Sequence, residues 1–267
     1  MLVLPFAYGH YRLQQQPTKY TDVTLKLVQP SIPQRMKMNP EQRANMVKEH
    51  VELTAQSPAT DITIWSETAY PFVVQSQSPP IQFIASRLLT GKQLVVTGGV
   101  KIEGDSITNS LNVIDTNADV IANYDKIKLV PFGEFIPFRW LLPIESVAQG
   151  MQDFTAGTKG QIIAAKGAPA FLPLICYEVI FPEMARTEPV RRPKWLLSIT
   201  NDAWFGESTG PYQHLHMAQM RAVEQGLPMV RVANTGVSAV TDAQGRMLSQ
   251  LALNERGVIS TALPAAS

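Results

Sequence analysis

The 267-residue chain carries 45% hydrophobic and 17% charged residues, which is enough apolar material for a sizeable globular core. Its formal net charge of +1 gives no electrostatic case for nucleic acid or an anionic surface, and its single cysteine excludes an intrachain disulfide. No stretch reaches the roughly 20 apolar residues of a membrane-spanning helix.

The opening Met1–Tyr8 is apolar but short, and lacks the basic start and small-residue cleavage site of a secretory signal. Two readings stay open for it: residues 1–19 as the stub of a preceding membrane segment, or a frayed end. Short apolar, β-branched runs then predict strands at Thr24–Gln29, Asp61–Trp65, Leu94–Gly98 and Leu111–Asp115. Further strands are predicted at Phe171–Ile175, Trp195–Thr200, Met229–Ala233 and Ser238–Thr241. Helices are predicted over Pro40–Ala55, where Asn39 supplies the cap and Pro40 the first position, over Ile81–Leu89, and over Tyr212–Gln225. On the last, Leu215, Met217, Ala218, Met220, Ala222 and Val223 are read as one apolar face. Glu103-Gly-Asp105 predicts a hairpin between two of the strands. Hairpins mixed with strand–helix–strand units imply an α/β domain with mixed rather than purely parallel sheet. Pro131–Thr158 lacks periodicity and reads as a functional loop or lid.

Three segments deliver a reactive side chain at or just past a strand end. Cys176 follows the apolar run Phe171–Ile175 and precedes Tyr177 and Glu178. A free cysteine more often simply packs, so its neighbours in space decide its role. Glu67 follows Ile62-Thr-Ile-Trp-Ser66, where desolvation raises a carboxyl toward base duty; the bland alternative is an acid near a helix N-terminus. Lys126 and Lys128 alternate with apolar residues on an apparent strand, which puts both on one side; alternatively they solvate a sheet edge. His214 and His216 are two residues apart on a helix and so face different ways. They read as structural or pocket-lining, and no metal or other cofactor is expected.

The ordered set is more specific than any member. Glu67 is followed by Tyr124-x-Lys126, Leu129-Val-Pro-Phe-Gly-Glu134-Phe-Ile-Pro137, Cys176-Tyr-Glu178 and Thr200-Asn-Asp-Ala-Trp-Phe-Gly206. Gly210-Pro-Tyr-Gln-His214, Met220-Arg-Ala-Val-Glu224 and Arg231-Val-Ala-Asn-Thr-Gly236 complete it. In this combination the chain resembles the nitrilase (carbon–nitrogen hydrolase) superfamily. Within it, the likeness is to the nitrilase-like domain of the apolipoprotein N-acyltransferase family, over residues 20–262, with 263–267 a short tail. The resemblance implies a four-layer α-β-β-α sandwich of two mixed sheets. It also implies a Glu67-Lys126-Cys176 triad, supported by Glu134, Tyr177 and Glu178. Lys128 stands where that family commonly has histidine, and Met38 where it has tryptophan.

In that family's chemistry Cys176 takes an acyl chain from a phospholipid as a thioester. It passes the chain to the α-amine of a diacylglyceryl-modified cysteine on a lipoprotein. Membrane contact is expected, at the inner membrane with the domain facing the periplasm, and no nucleic acid. Met38, Phe132, Phe135, Trp204 and Phe205 are candidates for the acyl pocket, and Phe132–Leu142 for a lid; for the aromatics, packing within the core is the alternative. Two other readings stay open: a soluble amidase in which water replaces the amine, and a catalytically silent relative that binds lipoprotein.

Overall fold

The computed structural model describes residues 3–37, 39–137, 153–187 and 192–267. In chain order the elements are α1 (Val3–Gln15), β1 (Tyr20–Gln29), α2 (Gln34–Lys37), α3 (Arg43–Ala55), β2 (Ile62–Trp65) and β3 (Tyr70–Val73). There follow α4 (Pro79–Leu88), β4 (Leu94–Glu103), β5 (Ser106–Ile114), β6 (Val120–Asp125), β7 (Phe171–Ile175), α5 (Pro182–Ala185) and β8 (Trp195–Thr200). The chain closes with α6 (Gly210–Gln225), β9 (Met229–Ala233), β10 (Ser238–Thr241), β11 (Met247–Leu251) and β12 (Gly257–Pro264).

One sheet runs β12-β1-β2-β4-β5-β6, with β3 added beside β4; the other runs β11-β10-β9-β8-β7. Both are mixed. β1, β2 and β4 are mutually parallel while β5, β6 and β12 are antiparallel to their neighbours, and β7-β8-β9 are parallel while β10 and β11 turn back.

The two-residue period of the strands explains the layering. Leu25, Leu27, Ile62 and Ile64 point inward and meet Phe171, Ile175, Trp195, Leu197 and Ile199 of the other sheet in one core. The alternate residues point outward: Val28 and Trp65 against α3 and α4, Leu172, Leu174 and Leu196 against α6. Each fully buried large apolar side chain contributes about 1.5–3 kcal/mol, so this double-faced burial dominates the stability. The result is the four-layer α-β-β-α sandwich expected.

The predicted strands and helices recur with shifted ends, and the hairpin forms with Glu103 opposite Ser106, leaving Gly104-Asp105 as the turn. Asn39 caps the turn at Pro40 through its side chain, as predicted.

Three expectations are corrected. The first residues described are not frayed but helical in α1, with Leu4, Phe6, Tyr8 and Tyr11 exposed. Residues 263–264 are not tail: β12 runs through Pro264, Leu263 is buried, and Ala265 N–H donates to the Lys19 carbonyl. On α6 only Leu215, Ala218 and Ala222 of the predicted face are buried, while Met217, Met220 and Val223 are exposed. At 100° per residue Met217 lies about 200° around from Leu215, so the six cannot share a face. No helix among the described residues is long and apolar enough to cross a membrane.

Candidate active site

The carboxyl ends of β2, β6, β7 and β8 meet where the two sheets face each other. Past β2 the chain turns at Ser66-Glu67, and Gly98 on β4 makes that turn fit. A Cβ on Gly98 would stand 2.6 Å from Thr68 N and 2.7 Å from Glu67 Cα. Glu67 therefore sits in a strand-to-strand turn, not at a helix N-terminus. Its Oε1 accepts from Asn109 Nδ2 at 2.8 Å and Lys126 Nζ at 3.3 Å, and its Oε2 from the Asn201 N–H at 2.9 Å. Burial pushes the carboxyl up, but Lys126, the Asn109 hydrogen bond and Lys37 together hold it below the ordinary glutamate range. This reverses the expectation of a raised value: desolvation acts, and the cations outweigh it.

Lys126 and Lys128 do not face one side. β6 ends at Asp125, because Ile127 N–H and Lys128 N–H turn to donate to Glu178 Oε1, at 2.7 and 3.2 Å. Off the strand, the two side chains part. Lys126 is 1% exposed and bonds Glu67 and Glu134, the latter at 2.9 Å. Lys128 is 41% exposed and pairs with Glu183 at 3.7 Å. Burial alone lowers an ammonium; here Glu67, Cys176 and Glu134 raise Lys126 well above the usual lysine value, so it is a fixed cation.

Cys176 opens a 3₁₀ turn, Cys176–Ile180, directly off β7, with φ 49°. A left-handed non-glycine residue stores about 1–3 kcal/mol of strain and persists only where its surroundings enforce it. Burial and the Glu67 charge push its thiol up to about 12, against the opposing pull of Lys126. The resting site is thus a thiol beside an ionised carboxylate and an ammonium. The N–H of Tyr177 lies in the first turn of the 3₁₀ segment, where no intrahelical acceptor exists.

Glu134 and Glu178 support the site differently. Glu134 shares Asn109 Nδ2 (2.9 Å) and Lys126 with Glu67, and its Oε2 accepts from the Val130 N–H at 2.9 Å. Glu178, fully buried, accepts from Tyr124 Oη and the Ile175 N–H, both at 2.8 Å. It ties β6, β7 and the loop after Lys126 together. Tyr177 packs edge-on against Phe181, ring centroids 5.0 Å apart.

Of the acyl-pocket candidates, Met38 lies outside the described residues. Phe132, Trp204 and Phe205 are about half exposed, which rules out the core reading for them, and Phe135 is half-buried. Around them the loop is tied to the site. Phe154 N–H donates to the Glu134 carbonyl and Gly157 N–H to the Lys126 carbonyl, both at 2.8 Å. The lid candidates Trp140, Leu141 and Leu142 also lie outside the described residues. His214 is buried and His216 exposed, as their spacing predicted.

Sequence reasoning missed Asn109, Asn201, Asp202 and Arg231. Arg231 had a readable signal, a charge inside the apolar run Met229–Ala233. Arg231 is fully buried and donates to Asp202 Oδ2 at 2.6 Å; Asp202 is held far below the usual aspartate range, burial opposing and Arg231 prevailing.

The family model for carbon-nitrogen hydrolases matches residues 24–267, and the chain belongs to that family. The apolipoprotein N-acyltransferase of Bradyrhizobium diazoefficiens is 42% identical over 287 residues, covering 100% of this chain and 53% of that protein. That of Rickettsia prowazekii is 38% identical over 270 residues, covering 99% and 54%. The chain thus spans about half the length of these curated relatives. Among solved structures, a CN-hydrolase superfamily protein of Xanthomonas campestris aligns with a TM-score of 0.69 at 20% identity, covering 91% of each chain. An amidase from Nesterenkonia aligns with a TM-score of 0.65 at 20% identity, covering 92% of each. These two share the fold.

Proposed function

We propose that this chain is the catalytic domain of an apolipoprotein N-acyltransferase, with Cys176 as the acyl-carrying nucleophile, Glu67 as the base and Lys126 as the fixed cation. The observation that carries it is the meeting of a thiol, an ionised carboxylate and a buried ammonium at facing sheet ends. The shared name of the curated relatives supports acyl transfer over amide hydrolysis and over a silent binding role.

The thiol is un-ionised at neutral pH, so attack needs a base. As Cys176 Sγ bonds to a phospholipid ester carbonyl, its proton passes to Glu67. The oxyanion forms beside Lys126 and the Tyr177 N–H. The C–O bond then breaks, the leaving alkoxide takes the proton from Glu67, and lysophospholipid departs from a thioester. The α-amine of a diacylglyceryl-cysteine lipoprotein attacks that thioester and gives its proton to Glu67. The C–S bond breaks, and the thiolate takes the proton back. Glu134 and Asn109 hold the base and cation; Phe132, Phe135, Trp204 and Phe205 supply apolar surface for the chain and keep water from the thioester. The domain works at the periplasmic face of the inner membrane.

Incubation with phospholipid vesicles followed by intact mass measurement tests this. An acyl-sized adduct on Cys176 that an amine-bearing lipopeptide discharges is expected. Retention of the adduct in Cys176→Ala, or turnover of small amides without any adduct, overturns the proposal.

A further inference from the structure

Cys176 holds a left-handed backbone, and something must enforce it. Its thiol lies in reach of Glu67, Lys126 and Thr200, and its peptide group has a holder of its own. His214 Nε2 lies 3.0 Å from the Cys176 carbonyl oxygen. A carbonyl only accepts, so Nε2 carries the proton and donates. The other nitrogen, Nδ1, is 2.9 Å from Asp202 Oδ1 and 3.1 Å from Arg231 Nη2. Asp202 is itself fixed: Thr200 Oγ1 donates to Oδ1 at 2.9 Å and Arg231 to Oδ2 at 2.6 Å. A Cβ on Gly236 would stand 2.3 Å from Asp202 Oδ2, so only glycine leaves room for it. All of His214, Asp202 and Arg231 are buried. The ring has one orientation available, and it ends on the nucleophile's carbonyl.

We infer that His214 is a positioning residue for the nucleophile. Held at Nδ1 by Asp202, which Arg231 fixes through its other oxygen, it fixes the Cys176–Tyr177 peptide by its carbonyl end, which sets the direction of both the thiol and the Tyr177 N–H. An error of about 1 Å in such a group costs about a hundredfold in rate. Its place on α6 gives the sheet-end nucleophile a brace from the outer helix layer.

The two ring nitrogens allow a clean test. In His214→Gln the amide nitrogen takes the place of Nε2 and still reaches the Cys176 carbonyl. In His214→Asn it takes the place of Nδ1, keeping Asp202 and abandoning Cys176. The inference deepens the acyl-transfer reading and rests on it for one assay, acylation of Cys176 by p-nitrophenyl butyrate, read by mass. His214→Asn is expected to acylate about tenfold or more slowly at saturating ester with little change in KM, and His214→Gln to stay within about threefold of the parent. Equal losses in both, the result of a merely structural role, overturn it. Should the parent take no acyl group, the acyl-transfer reading fails, and a second measurement decides this inference. Carbonyl carbon-13 labelling of cysteine gives one signal, since Cys176 is the only cysteine. That signal is expected to move in His214→Asn and stay in His214→Gln; the same position in all three proteins overturns the inference.

Discussion

Glu67 and Glu134 share both of their side-chain donors. Lys126 Nζ reaches Oε1 of each, at 3.3 and 2.9 Å, and Asn109 Nδ2 reaches the same two atoms at 2.8 and 2.9 Å. Two carboxylates side by side, one of them buried, ordinarily drive one pKa upward. Here one ammonium and one amide bridge them, and Glu67 stays ionised.

Removing the amide should therefore raise the base. In Asn109→Ala the acid limb of Cys176 acylation should move to higher pH, with about 1–3 kcal/mol of stability lost at pH 7. The sign follows from Glu67 lying below its unfolded value. Its stabilisation is full above the unfolded pKa and disappears as pH falls through the folded one, and in the variant that loss begins at higher pH. Urea melts from pH 3 to 7 check it; an unmoved acid limb would refute the bridging role.

Lys126→Met should be worse than losing the pair altogether. It leaves the buried Glu67 and the part-buried Glu134 without the ammonium they share, at about 3–5 kcal/mol, and should abolish acylation. Lys126→Met combined with Glu67→Gln should recover part of that stability and none of the activity. Chemical denaturation of the single and double variants measures the difference.

The thiol should show no ordinary cysteine titration. With Cys176 pushed up to about 12, iodoacetamide alkylation should keep climbing through about pH 10 without levelling. A mid-point near about pH 8.5 with a plateau by about pH 10 would show the thiol to be free of Glu67. The single cysteine makes the mass readout unambiguous.

Gly98→Ala should damage the site more than the fold. The new methyl meets backbone at Thr68 and Glu67, so the turn carrying the base must shift. Acylation should fall by about tenfold or more, while the fold loses about 1–3 kcal/mol. Comparing acylation rate with thermal midpoint separates the two.

Glu178→Leu should fail chiefly in folding. It strips acceptors from the Ile175, Ile127 and Lys128 N–H groups and Tyr124, at about 1–3 kcal/mol for each orphaned buried donor. The expected outcome is poor soluble yield, and a stable, active variant would contradict the tie.

The strands were legible because buried apolar runs bounded by turn residues leave few other readings, and the motif order picked out Glu67, Lys126 and Cys176, which the fold brings together. What stayed hidden depends on distant partners. Lys126 and Lys128 looked alike until Glu178, remote in sequence, drew their backbone off the strand. Asn109 sits in the polar run Ser106–Ser110, where nothing local distinguishes a site amide from a solvated strand. Arg231 was the exception: a charge in a strand covered on both faces demands a buried partner, and Asp202 is that partner. α6 misled because apolar content was read without its angular spacing.

Glu67 and Lys126 follow strands of one sheet, and Cys176 follows a strand of the other. Register between the two is kept by the apolar sandwich, in which Phe171 and Trp195 of one sheet pack in one core with Leu25, Leu27, Ile62 and Ile64 of the other. Reactivity of Cys176 is therefore a gauge of how closely the layers are pressed together. A truncation deep in that filling, remote from any polar group of the site, would detune the chemistry by letting one half slide against its mate.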